Sequence, residues 1–187
     1  MGRRRSSPQV LGHYKTGLRS PSNGSSESFI WYRELTFHSP PVSSKRMSQE
    51  TTLVLLKPDA VSKQLVGQVL ERFQSAGLKI RGLKMLQFGD ALLREHYAHI
   101  AEKPFFPEVQ NFMQQTPVIA LALEGENAIA HVRDLLGPTD SKKADKGTIR
   151  GDLGVDVMIN VCHASDSTDA AAAELKRFFG EGELFHY

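Results

Sequence analysis

The sequence predicts an α+β domain, a four-stranded antiparallel sheet covered by helices on the split βαβ, or ferredoxin-like, plan. Three observations predict it. Short apolar runs of strand length alternate with segments whose apolar residues recur at helical spacing. Their order reads strand, helix, strand, helices, strand, helix, strand, helix. Pro and Gly stand where one element must end and the next begin. All of this pattern falls within residues 47–187; residues 1–46 show none of it.

Residues 51–56 are an apolar run closed by Lys57-Pro58-Asp59, and a proline there stops a strand. Leu65 or Val66, Val69, Leu70 and Phe73 then recur as one face of a helix of about four turns, with Gly77 as its C′ glycine. Residues 78–88 mix Ile80, Leu83 and Met85 with Lys79, Arg81 and Lys84, a half-exposed strand with a bend at Gly82. Asp90 is placed to cap a helix whose stripe is Leu93, Tyr97 and Ile100. Pro104 and Pro107 break it, and residues 108–115 read as a short helix. Residues 117–123 form a third strand, and Ile129, Val132 and Leu136 the stripe of a helix ended by Gly137-Pro138. A polar stretch, residues 139–152, precedes a last strand over 157–162 and a last helix with stripe Ala171, Leu175 and Phe178. Connections of that length in a compact domain are usually functional or disordered.

Charge separates the two parts. Residues 1–46 hold eight Lys or Arg against Glu27 and Glu34, a surplus of six in a chain of net charge +2, so residues 47–187 carry −4. The basic balance belongs to the N-terminal segment, and a nucleic-acid footprint on the folded part is not implied. That segment is rich in Ser, Pro and Gly and reads as a disordered basic tail. Its Arg-rich, acid-poor composition also fits a transit peptide, while Met47 offers an alternative start. The expected localisation is cytoplasmic, or mitochondrial or plastid if residues 1–46 are a transit peptide. No run of about 18 apolar residues exists to span a membrane. One cysteine, Cys162, allows neither an intrachain disulfide nor a cysteine zinc site, which points to a reducing compartment.

The chemistry concentrates around His163. It sits at the junction of a strand and a helix capped from Ser165-Asp166-Ser167, where a nucleophile is held rigidly beside backbone N–H groups suited to an anion. A lone loop histidine means little; its neighbours mean more. The segment Asn160-Val161-Cys162-His163-Ala164-Ser165-Asp166-Ser167, with Leu56-Lys57-Pro58-Asp59, Pro104-Phe105-Phe106 and Gly147-Thr148-Ile149-Arg150-Gly151-Asp152, resembles the nucleoside diphosphate kinase family. The resemblance runs from about Thr51 to Phe179 and joins several separate motifs in order.

The resemblance implies an enzyme that moves the γ-phosphate of a nucleoside triphosphate, mainly ATP, to nucleoside diphosphates through a phosphohistidine on His163. A neutral imidazole is a good nucleophile near neutral pH, and the phosphoramidate is labile enough to pass the group on. Phosphoryl transfer asks chiefly for fixed cations and donors. The resemblance assigns Lys57, Arg133 and Arg150 to the phosphates and Thr139 as a hydroxyl donor to them. It gives Asn160 to the ribose and a phosphate oxygen, and Phe105 to stacking on the base. Stacking tolerates any base. Tyr97 would hold Lys57. Glu174 would orient His163 through its unreactive ring nitrogen, with Ser165 reaching toward Glu174. Magnesium arrives on the nucleotide, with no protein ligand assigned. Asp59, Asp152 and Asp166 are expected to make structural hydrogen bonds to loops.

Two departures from the family pattern stand out. Ala164 replaces the usual glycine after the histidine, which matters if that residue needs positive φ. The loop 139–147 lacks two prolines common in the family, which bears on subunit contacts. The expected partners are ATP, nucleoside diphosphates and copies of the same chain, a tetramer or hexamer built on a dimer, the more so as no long arm follows Tyr187. Two rivals compete. A nucleic-acid module on the same sheet lacks an RNP1-type aromatic strand. A phosphohistidine carrier would need His163 but not Phe105 or Asn160.

Overall fold

A computed structural model describes residues 48–187. The expectations for the basic segment fall outside the described residues. Chain order is β1 (Gln49–Leu56), α1 (Pro58–Ser62), α2 (Val66–Ser75), β2 (Lys79–Leu86), α3 (Asp90–His96), α4 (Phe106–Met113), β3 (Val118–Glu126), α5 (Ala128–Leu136), a 3₁₀ turn (Ser141–Lys143), α6 (Ile149–Leu153), β4 (Cys162–Ala164) and α7 (Thr168–Phe178). The sheet order is β2-β3-β1-β4. All three pairings are antiparallel, so the α+β reading holds.

β1 is central, and both faces of it are covered. Val54 and Leu56 pack with Val69, Phe73, Val132 and Leu136 from α2 and α5. Leu53 and Leu55 point the other way, into Leu93, Phe106, Phe112, Met113 and Phe178. Alternate residues of a strand face opposite sides, so a strand buried on both reads as an unbroken apolar run. That is why residues 53–56 show no alternation. β2, at the edge, leaves Leu83 and Met85 exposed and carries an irregularity between Ile80 and Gly82, the bend expected there.

Element ends follow local chemistry. Pro58 stops β1 and opens α1, where its missing N–H costs nothing. Gly77, at φ +82°, follows α2, which is about three turns long. Ser167 caps α7 by accepting from the Ala170 amide at 3.1 Å. Asp90 does not cap α3: Gly89 holds that position, and Asp90 instead accepts from Gln110 and Gln114. The last strand differs most. Residues 156–159 and 161 are bends, and β4 is only Cys162–Ala164, so His163 lies within the strand and pairs opposite Leu55. The apolar run 157–162 does not become strand because the Asp156 carboxylate accepts from the Met158 and Ile159 amides and curls the chain.

Candidate active site

A cleft of about 790 Å³ opens where the loop before β4, α3 to α4, and α5 to α6 meet. Lys57, Tyr97, Phe105, Arg133, Thr139, Arg150, Asn160, His163 and Glu174 all line it, although they come from positions more than a hundred residues apart. Ser165 is the exception, 1% exposed and behind Glu174. The volume suits a small organic ligand.

His163 stands on β4, which is held by β1 on one side. Its Nε2 donates to Glu174 Oε1 at 3.0 Å. A carboxylate can only accept, so Nε2 carries the proton and Nδ1 keeps its lone pair. Glu174 Oε2 accepts from the Ser165 hydroxyl at 2.5 Å. Burial raises the Glu174 pKa, but the hydrogen bonds from His163 and Ser165 and the electrostatics of His163 outweigh it, so the group stays below the ordinary carboxylate value. The ring of His163 is thus fixed in one tautomer by an ionised partner.

The backbone leading to it is strained. Val161 has φ +71°, a left-handed conformation that β-branched residues avoid. Two hydrogen bonds hold it: its amide donates to Asp59 Oδ2 at 2.9 Å, and its carbonyl accepts from the Lys57 amide at 2.9 Å. The structural role expected of Asp59 is this one. Asp152 does likewise, accepting from the Gly147 amide and pairing with Arg72. Asp166 is exposed at the cleft rim.

The cations are placed by other means. Lys57, 8% exposed, donates from Nζ to Asn160 Oδ1 at 2.7 Å and to the Met158 carbonyl. The expected hold of Tyr97 on Lys57 is not the arrangement seen; Tyr97 packs its ring against His96 instead. Burial is the main cause that pulls the Lys57 pKa down to about 8, with Asp59 resisting. Arg150 is fixed by donating to the Gly137 and Cys162 carbonyls, each at 2.8 Å. Burial lowers its pKa too. Arg133 is exposed in the last turn of α5. Asn160 Nδ2 donates to the Thr139 and Val157 carbonyls, so its amide ties the loop after α5 to Lys57. It does so from irregular backbone just before β4, not from the strand expected for it.

Phe105 and Phe106 part company. Phe106 is 2% exposed and belongs to the core, whereas Phe105 is 49% exposed at the cleft. A core role for Phe105 is excluded, and an exposed aromatic face remains. Ala164 pairs with Val54, and the positive-φ non-glycine positions among the described residues are Gln64, Asn127 and Val161. The backbone at 164 therefore does not require glycine.

Sequence reasoning missed His96. It is buried, stands edge-on to His163 with ring centroids 4.6 Å apart, and its Nδ1 lies 3.8 Å from Glu174 Oε1. Burial first, and the neighbouring His163 second, push its pKa down to about 3, so it is neutral. Helical spacing from Leu93 reaches 96 as well as 97, and that was the available signal.

Known proteins share this sequence and this fold. The family model described as nucleoside diphosphate kinase matches residues 50–184. A nucleoside diphosphate kinase from Rubrobacter xylanophilus is 50% identical over 131 residues, 70% of this chain and 98% of that protein. One from Parabacteroides distasonis is 48% identical over 138 residues, 74% of this chain and 90% of that protein. Among solved structures, the Aquifex aeolicus nucleoside diphosphate kinase superposes with TM-score 0.71 at 41% identity, covering 74% of this chain and all of that one. The Halobacterium salinarum enzyme, solved in complex with CDP, gives TM-score 0.72 at 40% identity, covering 75% of this chain and 93% of that one.

Proposed function

The chain belongs to the nucleoside diphosphate kinase family, enzymes that transfer phosphate between nucleotides, and from that premise we propose how its own residues perform the transfer. The observation that carries the proposal is the His163–Glu174–Ser165 relay at the wall of a cationic cleft.

Nδ1 of His163 attacks the γ-phosphorus of a bound triphosphate, ATP for the most part. The N–P bond forms as the bond from phosphorus to the bridging oxygen breaks, and the diphosphate leaves. The imidazolium that develops keeps its proton on Nε2, against the Glu174 carboxylate. A second diphosphate enters the same cleft, and its terminal oxygen takes the phosphoryl group in the reverse sequence. Lys57, Arg133 and Arg150 balance charge on the transferring group, with Thr139 as a hydroxyl donor. Phe105 offers a face to any base, and Asn160 reads the ribose. The CDP in the Halobacterium relative supports nucleotide occupancy of a cleft of this fold.

Magnesium would enter with the nucleotide as part of the substrate, neutralising phosphate charge. The acids in the cleft wall are Asp166 at the rim and Glu174, already engaged by His163, which fits an ion held by phosphates and water. The working form is a homo-oligomer built on a dimer, a tetramer or hexamer, in the cytoplasm. No described helix is long and apolar enough to cross a membrane.

The test is incubation with γ-labelled ATP and magnesium, followed by unlabelled GDP. Unaltered protein should acquire an acid-labile label that moves to GDP, and His163→Ala should acquire none. Folded, unaltered protein that never labels would end the proposal.

A further inference from the structure

His96 has no part in the transfer just described, and its burial is costly. The side chain is 1% exposed, and neither ring nitrogen has a hydrogen-bond partner. A buried polar group left without a partner is destabilising. Phe88, Tyr97 and Phe178 surround the ring, and a phenylalanine or leucine would suit that company without the penalty. Orphaned groups of this kind in native proteins point to a strained, catalytic or ion-binding role.

Three ligand atoms converge beside it. His96, His163 and Glu174 each present one, all within 4.8 Å of one another. His96 Nδ1 is 3.8 Å from Glu174 Oε1, which is 3.0 Å from His163 Nε2. Ligands about 2.0–2.1 Å from a tetrahedral zinc ion lie about 3.3–3.4 Å from each other, so shifts below about 1 Å would close the set. Two imidazoles and one carboxylate match a first-row transition ion; magnesium demands an oxygen octahedron. His163 faces the cleft, which supplies an entry path and room for a water as fourth ligand.

We propose that His96, His163 and Glu174 form an inhibitory site for a divalent transition ion of the zinc class, separate from the magnesium carried by the nucleotide. On binding, the proton of His163 Nε2 passes through solvent to Nδ1, so the ring stays neutral while Nε2 gives its lone pair to the ion and coordination replaces the hydrogen bond to Glu174. Nδ1, now an N–H, has no lone pair with which to attack phosphorus. The imidazolium that the carboxylate would have stabilised can no longer form. One of the two unpaired nitrogens of His96, Nδ1, gains a partner.

The test uses the full chain without nucleotide, titrated with Zn²⁺ by calorimetry and with Co²⁺ by visible absorption. One tight Zn²⁺ per chain is expected, with a Co²⁺ spectrum of low coordination number. His96→Asn and Glu174→Gln should each weaken Zn²⁺ binding tenfold or more, while His99→Gln, exposed at the rim, should leave it unchanged. In the labelled-ATP assay, Zn²⁺ should slow labelling of His163, excess magnesium should not relieve it, and His96→Asn should need tenfold more Zn²⁺ for the same fractional loss. Tight binding that survives in His96→Asn, a Co²⁺ spectrum like that of the hydrated ion, or full relief by magnesium would each overturn the proposal. If His96→Asn fails to fold, the Co²⁺ spectrum and Glu174→Gln still decide it.

Discussion

Asp59 holds Val161 in a left-handed conformation: the carboxylate on α1 accepts from the Val161 amide at 2.9 Å, two residues before His163. Strain of this type costs about 1–3 kcal/mol and persists only where surroundings enforce it. Asp59 is therefore a lever on the position of His163, the proposed nucleophile. Asp59→Ala should lower stability by about 1–3 kcal/mol, the penalty for a buried amide left unpaired. Labelling of His163 should slow as well. Urea midpoints and quench-flow measure the two effects, and unchanged values in both would sink the idea.

Lys57 gives the alkaline limb of the pH profile. With its pKa near 8, the amine loses charge in the free protein as pH rises through that value, and kcat/KM for the donor should fall. Lys57→Arg keeps its charge and should displace the limb upward, whatever it does to the maximum rate. Stability should move the other way. Below about pH 8 the amine is protonated folded and unfolded alike. Between there and the ordinary value of 10.5 the unfolded chain binds more protons, so stability rises across that window. Lys57→Met should remove the rise in urea midpoints; a rise that remains assigns it elsewhere.

Glu174 is a positioning residue with a separable signature. Glu174→Ala should cut the rate of phosphohistidine formation by about 10²-fold or more, as loss of a tautomer-fixing acid does elsewhere. Ser165→Ala, one bond further back, should cost less. Donor affinity should change little in both, since neither side chain is a phosphate cation. A Glu174→Ala variant that loses nucleotide binding but labels at full rate when saturated would contradict the role.

Gly137 supports Arg150 from the backbone. Its carbonyl accepts from Arg150 at 2.8 Å, its φ is +75°, and a Cβ there would lie 2.8 Å from Thr148 Oγ1. Gly137→Ala should destabilise by about 1–2 kcal/mol, the cost of left-handed backbone plus a shifted neighbour. It should also raise KM for the nucleotide through Arg150. Thermal unfolding and steady-state kinetics check both, and a wild-type KM in a destabilised variant would separate the glycine from the phosphate site.

Much of the site was legible because the motif residues are contiguous or at fixed offsets. The segments carrying Lys57, Phe105, Arg150 and Asn160 to His163 could each be read as chain. Their joint occupancy of one cleft could not be read from periodicity, since the β1–β4 pairing that brings residue 55 opposite 163 is a long-range contact. The same limit explains the misread last strand. Residues 157–162 are apolar enough for one, but the Asp156 carboxylate caps the Met158 and Ile159 amides and bends the chain, and an Asx-type competition of this kind leaves a weak local mark.

By itself the sequence determined the element order and the antiparallel α+β class, because hydrophobic period and Pro and Gly punctuation are properties of the chain read locally, and its motifs pointed to the family and to His163 as the residue to propose as nucleophile. Tertiary structure alone decided which partner each polar group takes. It turned Lys57 to Asn160 instead of Tyr97, left Phe105 exposed beside a buried Phe106, forced Val161 into a left-handed turn and buried His96 unpaired against His163. The physical reason is common to all four. Burial and hydrogen bonding depend on what the rest of the fold presents within a few ångströms, and neighbours in space are set by the sheet register and helix packing, not by neighbours in sequence.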